Sequence, residues 1–309
     1  MARYGRWRKA DGSILRAKKF PAVAARAKKR TLQISNEGWI MNFPTSPTPP
    51  PPSPYPTAMP PGAAPEPEGP GLSEPQRLIN SFIAPKKTFI DIKRNSSWWV
   101  PWLVGSIFSV IFGVLAMQKI DLPRYIQQQI DKSPSAQRRM EQLTPEQRAR
   151  GIEIQTTITK GIFYALPVFS LLRGLIVAAI LMVVFNFMLG AEVPFSRAMA
   201  VVFYSYLPFV IYAVLLIVSL LASADPNTID LNNPMPTNPG FFMDPAGNKF
   251  IYSFASALDI FNVWTLVLLG LGFSTASANR KPDTGTGITT TFVVYAIVVL
   301  IGAAWKSLF

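Results

Sequence analysis

Trp98-Trp99-Val100-Pro101-Trp102-Leu103-Val104-Gly105-Ser106-Ile107-Phe108-Ser109-Val110-Ile111-Phe112-Gly113-Val114-Leu115-Ala116-Met117 runs for twenty residues without a charged side chain. A hydrocarbon core ~30 Å thick is crossed by ~20 helical residues, so this stretch predicts a transmembrane helix. In lipid only helices and closed barrels satisfy every backbone group, and no series of ten-residue alternating strands accompanies it. Trp98, Trp99 and Trp102 open the run, as expected of side chains that prefer the headgroup level. Four further apolar runs follow, near 162–189, 198–222, 251–274 and 288–309. Phe250 and Tyr252 open the fourth run and Trp305 closes the fifth. The predicted fold is an all-α membrane protein, a five-transmembrane-helix bundle.

The connections differ in kind. Residues 118–160 carry eight Lys/Arg and five acids. Ser133-Pro134 and Thr144-Pro145 each pair an N-cap residue with a first-turn proline, which predicts two helices there, the second running on into the second span. Residues 223–250 are rich in Asn, Asp and Pro and poor in bases. Within them Asp225-Pro226-Asn227 and Asp230 offer oxygen ligands without the spacing or the turn glycine of a calcium loop, so they read as turn chemistry.

Upstream of the first span, Ser73-Glu74-Pro75-Gln76 is a capping box with proline in the first turn. Leu78, Ile79, Phe82 and Ile83 then recur at helical spacing, and after Pro85 so do Phe89 and Ile92. Lys86, Lys87, Lys93 and Arg94 lie beside them. Residues 73–97 therefore read as an amphipathic juxtamembrane segment, with those four bases available to anionic lipid. Residues 44–75 contain 14 prolines and form a tether that cannot bury a core. The net charge of +13 is unevenly spread, with +9 in residues 1–40 and +4 in the other 269. That basic arm lacks the apolar core of a signal peptide, and residues 1–40 read either as the product of a start assigned upstream of Met41 or as a disordered basic tail. Residues 1–72 are thus a disordered basic and proline-rich arm, and residues 98–309 the membrane domain. Nucleic acid is not an expected partner.

The chain has neither Cys nor His. Thiolate and Ser-His-Asp mechanisms, disulfides and Cys/His zinc sites are therefore excluded. No cofactor motif is present, and the expectation is a non-enzyme. Basic residues near the spans (Lys86, Lys87, Lys93, Arg94, Arg197, Arg280 and Lys281) place the N-terminus in the cytoplasm. Two ionisable residues fall inside apolar runs: Arg173 in the second and Asp259 in the fourth. Intramembrane charges are costly and tend to be paired or to line a cavity, and Arg173 has the further option of snorkelling to the interface with the span starting near Gly174. The two depths differ by ~5 Å at 1.5 Å per residue, so they form a candidate intramembrane polar pair. Asn186 and Asn262 read as inter-helix hydrogen-bonding residues, Pro101, Pro167 and Pro208 as residues that kink or shorten their helices, and Gly105, Ser109 and Gly113 as a close-packing stripe.

Phe82-Ile83-Ala84-Pro85, Phe89-Ile90-Asp91-Ile92 and Trp98-Trp99-Val100-Pro101-Trp102, in that order, resemble the opening of bacterial Yip-domain (Ypt-interacting-protein) membrane proteins. Leu258-Asp259-Ile260-Phe261-Asn262-Val263-Trp264, followed by Leu268-Leu269-Gly270, is similar to the family's fourth-helix pattern. The resemblance spans residues 80–309. It implies a five-helix membrane domain with a cytoplasmic N-terminus, and marks Pro85, Phe89, Pro101, Asp259, Phe261, Trp264 and Gly270 as parts of the domain pattern. It brings no catalytic residues. Eukaryotic relatives associate with Rab-type GTPases in vesicle traffic, a role not carried to this chain. The function expected is an interaction or membrane-organising module of the bacterial inner membrane. The alternative is a small-solute or ion transporter or channel using Arg173 and Asp259.

Overall fold

The computed structural model describes residues 70–245, 247–279 and 282–308. The proline-rich tether up to Gly69, the basic arm, Arg280 and Lys281 lie outside the described residues. Among the described residues every regular element is helical: α1 (Glu74–Ile83), α2 (Pro85–Asp91), α3 (Trp99–Lys119), α4 (Leu122–Asp131), α5 (Pro134–Glu141), α6 (Pro145–Val183), α7 (Phe195–Ser205), α8 (Pro208–Ala222), α9 (Lys249–Ala257), α10 (Ile260–Ala276) and α11 (Thr284–Leu308). A π turn, Val184–Met188, extends α6, and two 3₁₀ turns, Pro226–Thr228 and Pro239–Phe242, shape the connection before α9.

Four helical stretches are long and apolar enough to cross a membrane: α3, α6 with its π turn, α7–α8, and α11. The pair α9–α10, bent by 56°, is long and apolar enough only when its two helices are taken together. Large aliphatic side chains face outward along these elements, including Ile107 and Ile111 of α3, Ile176 and Ile180 of α6, Val218 of α8, and Ile297 and Ile301 of α11. A water-soluble domain does not expose so continuous an apolar surface, which belongs against lipid.

α7–α8 is the central span. Its window is 44% buried, against 22% for α3 and α6 and 17% for α11. The eight residues from Ala198 to Ser205 are all buried, as expected of a helix that is apolar on every side. Instead of kinking at Pro208 within one helix, the chain breaks at Tyr206-Leu207 and Pro208 starts α8 at N1, the position where its missing N–H costs nothing. The longer connection holds three helices rather than two before the second span. α4, the extra one, starts at Asp121-Leu122-Pro123, where the Asp121 carboxylate accepts the Arg124 N–H at 3.2 Å. Ser133 and Thr144 cap α5 and α6 as their sequence predicts.

The α4 face of Leu122, Tyr125, Ile126 and Ile130 packs with Leu220, Ile229 and Leu231. The Asp121 N–H donates to the Asn227 side chain at 2.8 Å. The basic connection and the acidic one therefore meet on one side of the bundle, as two loops separated by two crossings must. Burial and the neighbouring Asp230 charge push the Tyr125 phenol up to about 12.

At the opposite end, α1 and α2 are built into the protein. Phe89 and Ile92 are fully buried in the core that α7 and α10 share. Only the outer edge of α1, at Ile79 and Ile83, keeps the exposure expected of a segment lying on lipid. Phe89 fits because a side-chain carbon at Gly272 would lie 2.9 Å from its ring. Phe82 meets Trp264 edge-on with ring centroids 6.0 Å apart. At Gly270 an added Cβ would come within 2.4 Å of the Ile288 backbone, so α10 and α11 touch main chain to main chain.

Candidate functional site

The two ionisable residues singled out in the apolar runs do not form an ion pair; each has a separate setting. Asp259 is not inside a helix. It is the extended N-cap of α10, its carboxylate accepting the Phe261 N–H at 2.8 Å and the Thr237 hydroxyl on the other oxygen. The Ile260 N–H is taken by the Thr237 carbonyl at 3.1 Å. The carboxylate at Asp259 thus accounts for the 56° break in the fourth span. The opposite lip carries Asn262, whose amide reaches the Ala257 carbonyl at 3.4 Å. Tyr295 of α11 donates to the same carbonyl at 2.7 Å. Phe261 packs edge-on against Tyr212.

Arg173 lies on α6 with its guanidinium over the rings of Tyr206 (5.2 Å) and Phe209 (5.6 Å). These are cation–π contacts on the faces exposed by the break between α7 and α8. No carboxylate among the described residues stands within salt-bridge distance of it, and its side chain is exposed. It forms part of the walls of two cavities. The larger, about 450 Å³, lies between α3, α6 and α8. The smaller, about 200 Å³, lies between α6, α10 and α11 and carries Asn262, Thr265 and Tyr295. Asp259 lines neither.

The other expected polar positions serve the backbone. Asn186 closes the turn after α6, bonding both the N–H (2.8 Å) and the carbonyl (2.9 Å) of Val193, rather than reaching another helix. The Pro167 carbonyl accepts the Trp102 indole N–H at 3.2 Å. Of the small-residue stripe, only Gly113 meets α6 closely, 3.3 Å from Phe163; Gly105 looks into open space and lines the larger cavity.

A second polar cluster, missed in the sequence, lies between α1, α2 and α7. Arg77 is 2% exposed. Its Nε donates to Asp91 at 2.6 Å and its Nη1 to Glu74 at 3.4 Å. Glu74 accepts the Tyr204 hydroxyl at 2.6 Å, and Asp91 also accepts the Leu72 N–H at 3.1 Å. The Arg77 carbonyl takes the hydroxyls of Ser81 and Thr88. Burial works against the Arg77 charge, but the hydrogen bonds and charge of Asp91 and Tyr204 outweigh it and hold the pKa above its ordinary value. Nearby, burial and then the Arg197 charge pull Lys93 below the usual lysine range, whereas Lys86 and Lys87 are exposed.

A sequence model described as the Yip1 domain matches residues 79–305, about three-quarters of the chain. The chain belongs to the Yip1 domain family. The match begins inside α1 and ends near the close of α11, so the α1–α2 hairpin is largely within the Yip1 domain rather than a flank to it. Among curated proteins and solved structures no match is found. The seven residues that carry the resemblance in the sequence fall at joints: Pro85 starts α2, Phe89 fills the space over Gly272, Pro101 lies in the first turn of α3, Asp259 caps α10, Phe261 and Trp264 pack on α8 and α1, and Gly270 admits α11.

Proposed function

We propose that this multi-pass Yip1 domain protein is a non-enzymatic interaction or membrane-organising module of the bacterial inner membrane, with its N-terminus in the cytoplasm. The observation that carries this reading is the separation of the two intramembrane charges. Asp259 spends its carboxylate on a helix N-cap and on Thr237, and lines no cavity. A charge fixed as a joint supports a scaffold, whereas a carrier for ions or solutes needs its ionisable residues to meet at a shared site. Residues 1–72 would reach protein partners from the cytoplasmic side. Lys86 and Lys87, with Lys93 and Arg94, would hold that end against anionic headgroups, each near base contributing ~1 kcal/mol.

The second reading, a transporter or channel, keeps one observation in its favour, that Arg173 borders two cavities. Proximity labelling from the N-terminal arm in intact cells separates the two. A reproducible set of protein neighbours, lost when the chain starts at Ser73, is expected. Recovery of no reproducible neighbours, together with solute or ion flux in reconstituted vesicles that Arg173→Gln abolishes, would overturn the interaction reading.

A further inference from the structure

Arg173 is eleven residues inside the apolar run of α6, yet contacts around it set it at the end of α3. Trp98 stacks on Phe203 with ring centroids 5.5 Å apart, and the same Phe203 ring would lie 2.4 Å from a side-chain carbon at Gly174. Gly174, Phe203 and Trp98 are therefore at one level. Further along, Trp102 bonds the Pro167 carbonyl and Gly113 meets Phe163. So α6 runs antiparallel to α3 and continues past its N-terminus. Arg173 stands at the ledge this leaves, beside the tryptophans that open α3.

From that ledge the larger cavity runs down α3 as a half-open groove, past Pro101, Gly105 and Ser109 to Phe112. Eleven helical residues are about 16 Å, close to half of a ~30 Å hydrocarbon core. Apart from Ser109, Ser170 and the tyrosine hydroxyls, the groove walls are apolar. An arginine stays charged in proteins, and this one has aromatic faces but, among the described residues, no carboxylate within salt-bridge distance. Its planar donors suit a phosphate. The site thus offers a cation beside an apolar channel about half a hydrocarbon core long.

We propose that this groove binds an anionic phospholipid, its phosphate on Arg173 and one acyl chain lying along α3 between α6 and α8. The site is separate from the four bases near α2 and does not depend on the interaction role of the arm.

The test uses the full chain in detergent micelles, supplied with phosphatidylglycerol or phosphatidylcholine and read by native mass spectrometry. Wild type is expected to retain phosphatidylglycerol in preference to phosphatidylcholine. Arg173→Gln should bind phosphatidylglycerol roughly tenfold more weakly, the loss of one charge-assisted contact, and Arg173→Lys should recover part of it. Gly105→Phe supplies an independent variant. A side-chain carbon at Gly105 meets nothing within 4 Å, so the ring can fill the groove without disturbing the helices. It should expel the lipid while leaving the thermal unfolding temperature in place. Equal retention by wild type, Arg173→Gln and Gly105→Phe would overturn the proposal. So would displacement of the lipid by inorganic phosphate alone, which would mark an anion site without a chain. A dimer broken by Arg173→Gln would also overturn it, assigning the groove to a second copy of the chain.

Discussion

Two arginines, Arg77 and Arg173, have opposite surroundings. Arg77 looks unremarkable in the sequence, a base on a short helix before the first span. In the fold it is 2% exposed and bound by Asp91 and Glu74, with Tyr204 completing the cluster. Arg173 looks anomalous in the sequence, a charge in the middle of an apolar run. In the fold it rests on two aromatic rings, with no carboxylate among the described residues within salt-bridge distance, at the mouth of a groove. A compensated charge is architecture, because breaking it leaves its partner stranded. An uncompensated, exposed one is free to meet a ligand. Burial and the company each keeps both distinguish the two.

The strongest way to break the comparison is at Asp91. Asp91→Ala leaves the Arg77 guanidinium buried with only Glu74 and Tyr204 near it, and loss of one partner of a buried pair costs about 3–5 kcal/mol. The expected result is a large fall in thermal stability and detachment of α1–α2, seen as protease sensitivity near Ala84. Arg173→Gln, by contrast, should change stability by less than about 1 kcal/mol, the scale of an exposed cation–π contact. Equal losses at both positions would erase the distinction.

A smaller effect is expected at Asp259. Removing an N-cap costs ~1 kcal/mol, so Asp259→Ala should lower stability modestly and Asp259→Asn, which still caps, should restore most of it. A charge-based role at this position would instead make Asn as damaging as Ala. The smallest effect is a pH dependence at the far end of the bundle. Tyr125 is raised to about 12 by burial and by the Asp230 charge. Its folded state favours the neutral phenol, so that contribution is whole below pH 10, the ordinary tyrosine value, and drains as pH climbs towards about 12. Alkaline melts should show the decline, and Tyr125→Phe should flatten it.

Much of the membrane architecture was legible in the residues. Long apolar runs report themselves, since a span needs about twenty such residues whatever its neighbours. The caps at Ser73, Asp121, Ser133 and Thr144 are local chemistry, readable from three or four positions, although the one at Asp121 passed unnoticed. The break at Asp259 was hidden, because an aspartate in an apolar run looks the same whether it caps a new helix or pairs with a distant base. The pairing of Arg77 with Asp91 was hidden too. The residues are 14 apart on separate helices, and only the packing of the hairpin on α7 makes them buried. For the candidate site, Arg173 was visible as an ionisable residue out of place, but the groove beside it depends on how α3, α6 and α8 splay. That is a tertiary property with no periodicity to announce it.

Paired double-mutant cycles test the division between the two arginines most directly. Thermal stability would be measured in matched detergent for the single and double alanine variants of Arg77 with Asp91, and of Arg173 with Asp259. Contacting residues couple by about 0.5–3 kcal/mol, whereas independent sites add within about 0.3–0.5 kcal/mol. The account predicts strong coupling in the first cycle and additivity in the second. Coupling between Arg173 and Asp259 as large as that between Arg77 and Asp91 would contradict it.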